Sequence, residues 1–426
     1  MRTKTLLPLL ALAVLAGACQ TNPLTGKSEV NFYSPKEEAG LGREVAPAIE
    51  AELGGVYEDP VLQDYVDKLT RQVAAHAPVQ EGGVRYEYYG RVLNSPAVNA
   101  FSLPGGPVYV TRGLLLRMHD EAELAGVLGH EVAHIAGRHG TSRISKAQLT
   151  QALLAVGIVA ASVAADREDR VYVGAGAVVA SAIGQLYILG YSRDNEYEAD
   201  EFGAGFSSRA NYDPRALMEV FKTFEQLRQE SGGAGTPEFL QTHPNPENRI
   251  SRLEGICAKL GGTGYQARAS EYKAAISGLA SNEVALGHYD RGNALMARGE
   301  HAAAVAEFDE SIAANRFFSF SHAARGEALA QLGRGGEART ALAEAVRLNA
   351  NNIAARKAYG ASLEADGDHA AAEREFRAAA TLNAFDEGAR LGLAQSLESQ
   401  GRTKEANKQR ALVGEIRGGR ERGRLR

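Results

Sequence analysis

The sequence predicts a mostly helical protein in two parts: a helix-rich domain built around a small sheet, then a solenoid of antiparallel helix pairs. Three observations predict it. A 34-residue repeat runs through the C-terminal part of the chain. A capped helix near residue 130 carries two histidines one turn apart. A Pro-Gly-Gly turn and an alternating apolar stretch precede that helix.

The 426 residues suffice for two or three domains. With 44% hydrophobic and 23% charged residues, the chain has the composition of a folded globular protein. A formal net charge of −5 gives no electrostatic reason to expect nucleic acid as a partner.

At the N-terminus, Arg2 and Lys4 precede an apolar run from Leu6 to Leu15, the small residues Ala16-Gly17-Ala18, and Cys19. This layout predicts a signal peptide over 1–18 of the bacterial lipoprotein type, with lipid on the Cys19 thiol. Leu15 lies one place further upstream than that pattern wants, so simple secretion is the alternative. Gln20, in place of Asp, favours the outer membrane, and the expected location is periplasmic, anchored there through Cys19. The only other cysteine is Cys257, which leaves no disulfide framework and no cysteine-based zinc site.

Residues 19–35 are turn-rich and polar and read as a tether. A domain over 36–262 follows, closed by Gly261-Gly262-Thr263-Gly264, and 263–284 reads as a linker or helix. From 285 to 416, Gly299, Gly333, Gly367 and Gly401 recur every 34 residues, as do Leu295, Leu329, Leu363 and Leu397. Ala304, Ala338, Ala372 and Ala406 keep the same step, and Gly292, Gly326 and Gly360 keep it up to Ala394. That is the tetratricopeptide (TPR) period, two helices per repeat packed through small residues. Three full repeats and a degenerate fourth are expected. The basic segment 417–426 reads as a solvated tail, with anionic lipid headgroups as a rival contact.

The chemistry concentrates on the helix near residue 130. Asp120 with Glu123 forms a capping-box-like start and Gly140 a stop, predicting a helix over 121–139. His130 and His134 project from one face and suit a single zinc ion. Glu131 sits beside them, placed to take a proton from the attacking water and pass it to the leaving amine. His139 is one residue out of phase with a third ligand on a continuing helix, and reads as a helix-end histidine near the carbonyl dipole. In Ser192-Arg193-Asp194-Asn195-Glu196-Tyr197-Glu198-Ala199-Asp200, Glu196 and Asp200 share a helix face. Glu196 is the candidate third ligand, with Glu198 or a plain surface carboxylate as alternatives. Glu198 otherwise reads as solvated, and Asp200 as fixing a ligand imidazole or assisting proton delivery. A His/His/Glu set with one zinc per chain leaves a coordination position open.

His-Glu-Val-Ala-His with Arg138-His139 shortly after, and the Ser192–Asp200 segment some sixty residues on, resemble the HtpX-type gluzincin metallopeptidases. Asn99 to Gly106, running into Val108-Tyr109-Val110-Thr111 and Gly113-Leu114-Leu115, is similar to the strand before the catalytic helix in that family. The resemblance covers about 36–262, and the repeat region by architecture only. It implies a zincin-like α+β fold, zinc on His130, His134 and Glu196, Glu131 as general base, and a catalytic or supporting role for Asp200. Val108, Tyr109 and Val110 are expected on an edge strand beside the cleft, where an extended substrate adds by main-chain hydrogen bonds. An ordinary hairpin strand is the alternative.

A Thr-His-Pro segment like Thr242-His243-Pro244 also occurs in the family. His243 is a candidate fourth ligand that holds the enzyme latent, or an oxyanion stabiliser, against a loop histidine bonded locally. Two uncharged runs, 147–165 and 171–192, are expected as helices beside or over the active site, with membrane association as the alternative.

Together these imply a zinc endopeptidase of envelope protein quality control, cutting exposed extended segments of misfolded or stalled proteins recruited by the TPR array. The partners expected are unfolded or misassembled envelope proteins and, through the TPR region, the outer-membrane assembly machinery. The alternative is a TPR scaffold or chaperone for outer-membrane assembly whose peptidase is latent.

Overall fold

The computed structural model describes residues 19–150, 190–230, 237–244, 246–383 and 386–423. The expected signal peptide and most of the 147–192 region lie outside the described residues. None of the described helices is long and apolar enough to cross a membrane.

The segment expected as a tether is instead an ordered hairpin. Strand β1 (Cys19–Thr21) pairs antiparallel with β2 (Ser28–Val30). Buried Asn22 holds the turn, its Oδ1 accepting from the Leu24 N–H at 2.9 Å. The same turn chemistry that suggested a loop therefore closes a hairpin. Ser34 then starts the helix Pro35–Glu52 with a full capping box.

Three further strands, β3 (Tyr89–Leu93), β4 (Ala100–Ser102) and β5 (Pro107–Thr111), form one sheet in the order β3-β5-β4. Strand β5 runs parallel to β3 and antiparallel to β4. This corrects the edge-strand expectation: Val108, Tyr109 and Val110 lie on the central strand and are fully buried. An apolar segment covered on both faces belongs in the middle of a sheet. The outer edge of β3 is closed by side chains of the helix Pro60–Ala74: Asp67 and Gln63 accept from the Gly90 and Val92 N–H groups, each at 3.0 Å. No strand among the described residues pairs with the outer edge of β4.

Asp120 caps the helix Glu121–Ala136 through the Glu123 N–H, as its sequence signalled. The helix ends earlier than expected. Gly137 caps it, Arg138 turns to φ 60°, and a new helix runs on from 139 through 150. The helix Arg193–Arg209 packs across the first of these through paired glycines. A Cβ on Gly203 would sit 2.7 Å from the His130 nitrogen, and one on Gly129 would sit 2.7 Å from the Gly203 oxygen. Only hydrogen at both positions lets the backbones come this close.

One core joins the sheet, these helices, and Phe206, Phe221, Phe224, Phe239 and Leu253. It also takes in Tyr272 and Leu279, from the helices Ala269–Ala275 and Ser277–Ser281, so the expected linker is part of the packed domain.

The repeats are four helix pairs. They begin at Glu283–Ala297 with His301–Ala314, and continue with Ser319–Gln331 and Gly335–Leu348. Ile353–Ala365 with His369–Leu382 and Glu387–Ser399 with Thr403–Gly423 complete the array. The recurring Gly299, Gly333, Gly367 and Gly401 are the left-handed turns within each pair, at φ 77°, 74°, 82° and 75°. Gly292, Gly326 and Gly360 face Phe308, Leu342 and Phe376 of the second helix. The fourth repeat is a complete pair, and its last helix absorbs residues 417–423 of the expected tail. The array is docked on the first domain. Leu286 and Phe318 enter its core, Arg112 meets Asp290 at 2.5 Å, and Glu58 accepts from Ser319 and Asn349.

Candidate metal centre

The helix Glu121–Ala136 supplies His130 and His134, whose Nε2 atoms lie 3.0 Å apart. The helix Arg193–Arg209 brings Glu196 over them, 3.5 Å from His134 Nε2 and 3.6 Å from His130 Nε2. His243, at the C-terminal end of the short helix Glu238–Thr242, completes the group. Its Nδ1 is 3.2 Å from His130 Nε2 and 3.0 Å from Glu196 Oε1. Donor atoms of all four lie within 4.8 Å of one another, and none of the four side chains is more than 1% exposed. A tetrahedral zinc ion with bonds near 2.1 Å sets neighbouring donors roughly 3.4 Å apart. Three imidazoles and a carboxylate at this spacing fit such an ion.

The electrostatics agree with a ligand set. Burial, reinforced by the neighbouring His130, His139 and His243, holds His134 well below the usual imidazole range, so its ring is neutral. Burial pushes the Glu196 carboxyl up, but the charges of His243 and Arg249 outweigh it and leave Glu196 below the ordinary range. For Asp200 burial again works upward, and Arg249 overcomes it, bringing the carboxyl down to about 2.

Glu131 is fully buried beside the cluster. Its Oε2 accepts from Ser102 Oγ at 2.9 Å, while Oε1 has no hydrogen-bond partner among the described residues and lies 3.5 Å from His243 Nε2. Such an atom is a ready acceptor for a water entering the site. Asp200 stands behind His130, Oδ1 at 3.0 Å from Nδ1. That contact fixes the ring with its Nε2 lone pair toward the cluster.

Three further residues belong to the site and were not singled out in the sequence. Arg249 is fully buried and grips Asp200 with two bonds, of 2.8 and 2.7 Å, while its Nη1 meets Glu196 Oε2 at 2.7 Å. The available signal was a charge in register with Leu253 and Cys257, on the apolar face of the helix Pro246–Leu260. Ser102, on β4, holds Glu131. Tyr191 stacks on His134 with ring centroids 3.8 Å apart, its phenol pushed up to about 12 by burial.

Three expectations need correcting. His139 does not turn away: the break at Gly137 and Arg138 folds it back until its Nδ1 lies 2.9 Å from His134 Nδ1. Glu198 stays outside the donor group, as expected, but it is not solvated. Its Oε1 lies 3.3 Å from His139 Nε2 and accepts from Asn22 at 2.6 Å. Val108, Tyr109 and Val110 are not at the site's rim; Ser102, on the neighbouring strand, is.

Residues 60–257 match the model of peptidase family M48. The beta-barrel assembly-enhancing protease of Yersinia pestis is 29% identical over 231 residues, covering 54% of this chain and 46% of that protein. The protein of that name from Escherichia coli is 27% identical over 238 residues, covering 55% and 47%. Mitochondrial metalloendopeptidase OMA1 of Arabidopsis thaliana is 34% identical over 200 residues, covering 46% and 37%. The chain thus spans less than half the length of these relatives. Among solved structures, a crystal structure of MamA aligns with 41% of this chain and 94% of its own, at TM-score 0.31 and 16% identity. The Arabidopsis OM64 TPR domain aligns with 28% and 98%, at TM-score 0.27 and 20% identity.

Proposed function

We propose that this protein, whose residues 60–257 match the model of peptidase family M48, is a zinc-dependent endopeptidase of bacterial envelope quality control. The observation that carries the reading is the four-donor group beside a buried carboxylate oxygen with no hydrogen-bond partner among the described residues. His130, His134 and Glu196 would hold the ion, with His243 as a fourth donor in a closed state. Zinc, when bound, supplies a Lewis acid that acidifies water and polarises a scissile carbonyl.

Glu131 Oε1 takes a proton from the attacking water and returns it to the departing amine nitrogen. Ser102 steadies the other oxygen of that carboxylate. Asp200 and Arg249 keep His130 in one tautomer and orientation. The substrate is an extended polypeptide segment laid along the outer edge of β4. The residues flanking β4 bond toward β5, Leu103 N–H to the Pro107 carbonyl and Thr111 N–H to the Asn99 carbonyl, so by the alternation of an antiparallel ladder the main-chain groups of Ala100 and Ser102 point away from β5. Recognition through main-chain groups makes specificity loose, as clearing damaged proteins requires.

The TPR array recruits clients or the assembly machinery. Its first two repeats are engaged by the peptidase domain, so the later repeats offer the accessible surface. Lipid on Cys19 would anchor the protein to the outer membrane on its periplasmic side, where the names of its bacterial relatives fit.

A second reading, a TPR scaffold with a latent peptidase, draws on the position of His243 among the donors and the burial of the whole group. One substitution separates the two. Glu131→Gln should abolish cleavage of casein by the purified protein with zinc retained, and should fail to complement a deletion strain. Full complementation by that variant would favour the scaffold. Unchanged casein cleavage would remove Glu131 from the chemistry.

A further inference from the structure

His139 and Glu198 lie beyond the donor group, and the proposed reaction leaves both without a task. Their arrangement supplies one. His139 is fully buried, with Nδ1 2.9 Å from His134 Nδ1 and Nε2 3.3 Å from Glu198 Oε1. The same Glu198 oxygen accepts from Asn22 Nδ2 at 2.6 Å, and Asn22 Nδ2 also donates to Glu29 at 2.9 Å within the N-terminal hairpin.

We propose that His139 and Glu198, clamped by Asn22, form a relay that positions the metal ligand His134.

One arrangement of the protons serves metal ligation through His134 Nε2. A carboxylate only accepts, so His139 carries its proton on Nε2 and donates it to Glu198. In that arrangement His139 Nδ1 is the acceptor of the ring-to-ring contact, and His134 donates to it from its own Nδ1. This leaves the His134 Nε2 lone pair facing the donor group, as ligation requires. His130 reaches its carboxylate, Asp200, directly at 3.0 Å, whereas His134 reaches Glu198 through one intervening imidazole. Each ligand ring is thus oriented from behind by an acid.

The chain is shaped to allow this. Arg138 sits at φ 60°, a conformation that costs a non-glycine residue energy, and its side chain is held by Glu38 and the Tyr33 carbonyl. A Cβ on Gly137 would lie 2.6 Å from His139 Nε2, so glycine is needed where the ring folds back. The N-terminal hairpin, far from being slack, closes the relay at its outer end.

The inference rests on the proposed metal site, and its test keeps the two apart. Zinc affinity of the full-length protein is measured by chelator competition for wild type, His139→Phe, Glu198→Ala and Asn22→Ala, with the cobalt visible spectrum and the thermal unfolding of the metal-free protein alongside. His139→Phe keeps the ring's bulk and is expected to weaken zinc about 10–100-fold and to shift the cobalt bands. Metal-free unfolding should stay near wild type, and Glu198→Ala and Asn22→Ala should show smaller losses in that order. Wild type binding zinc while all three variants bind within about twofold of it would overturn the relay and leave the metal site standing. Wild type binding no zinc would overturn both. Nitrogen NMR of the histidine side chains in the wild-type protein decides the matter even if a variant fails to fold: a proton on His139 Nε2 alone supports the relay, and a proton on Nδ1, with or without one on Nε2, overturns it.

Discussion

Behind His130 and His134, polar groups stand where the front-facing nitrogens alone would suggest only packing. Arg249 shows how tightly they are bound together, since one buried guanidinium neutralises both Asp200 and Glu196. Arg249→Met should therefore leave two buried carboxylates without a counter-charge. We expect a loss of about 3–5 kcal/mol in urea unfolding, with reduced zinc content. His130, Glu131 and His134 could be read in the sequence because their spacing on one helix is a local property. Glu196 and Asp200 could be read for the same reason, four residues apart on a second helix. Tyr191 depends on how distant segments meet, and no local period marks it; Arg249 shows a charge in register with Leu253 and Cys257, but its partners Asp200 and Glu196 come from a distant segment. His139 misled for a sharper reason: its phase was reckoned on a continuous helix, and the chain breaks two residues before it.

Among the elements, the contact that matters most to the site is the crossing of the helices Glu121–Ala136 and Arg193–Arg209 at Gly129 and Gly203. Gly203→Ala should force them apart by the width of a methyl group. The expected cost is about 1–3 kcal/mol of stability, measured by denaturant midpoint, with weaker zinc binding because Glu196 is drawn away from the histidines. The sheet teaches a different lesson. Short apolar strands read alike whether central or at an edge, and the order β3-β5-β4 is fixed only by pairing with residues some eighteen positions upstream. The repeats were the most legible elements, because their period is written four times over and each copy packs mainly on its neighbours.

Over the whole molecule, the first domain and the repeat array are joined by apolar packing at Phe318 and Leu286 and by polar contacts at Arg112 and Glu58. Arg112 is buried, bonds Asn94 at 2.9 Å and meets Asp290, whose carboxyl is raised by burial in spite of that partner. Arg112→Met should strip Asp290 of its counter-charge and loosen the first repeat. Hydrogen exchange should then quicken in the helix Glu283–Ala297 and stay unchanged in Ile353–Ala365. This docking was not legible in the sequence, where 263–284 reads as a connector and not as core.

The central claim is that His130, His134 and Glu196 together hold zinc beside Glu131, and anomalous diffraction at the zinc edge from crystals of the full-length protein tests it most directly. A single strong peak bonded to Nε2 of both histidines and to the Glu196 carboxylate is the predicted result. No peak there after purification without chelators, or a peak held by other residues, would contradict it.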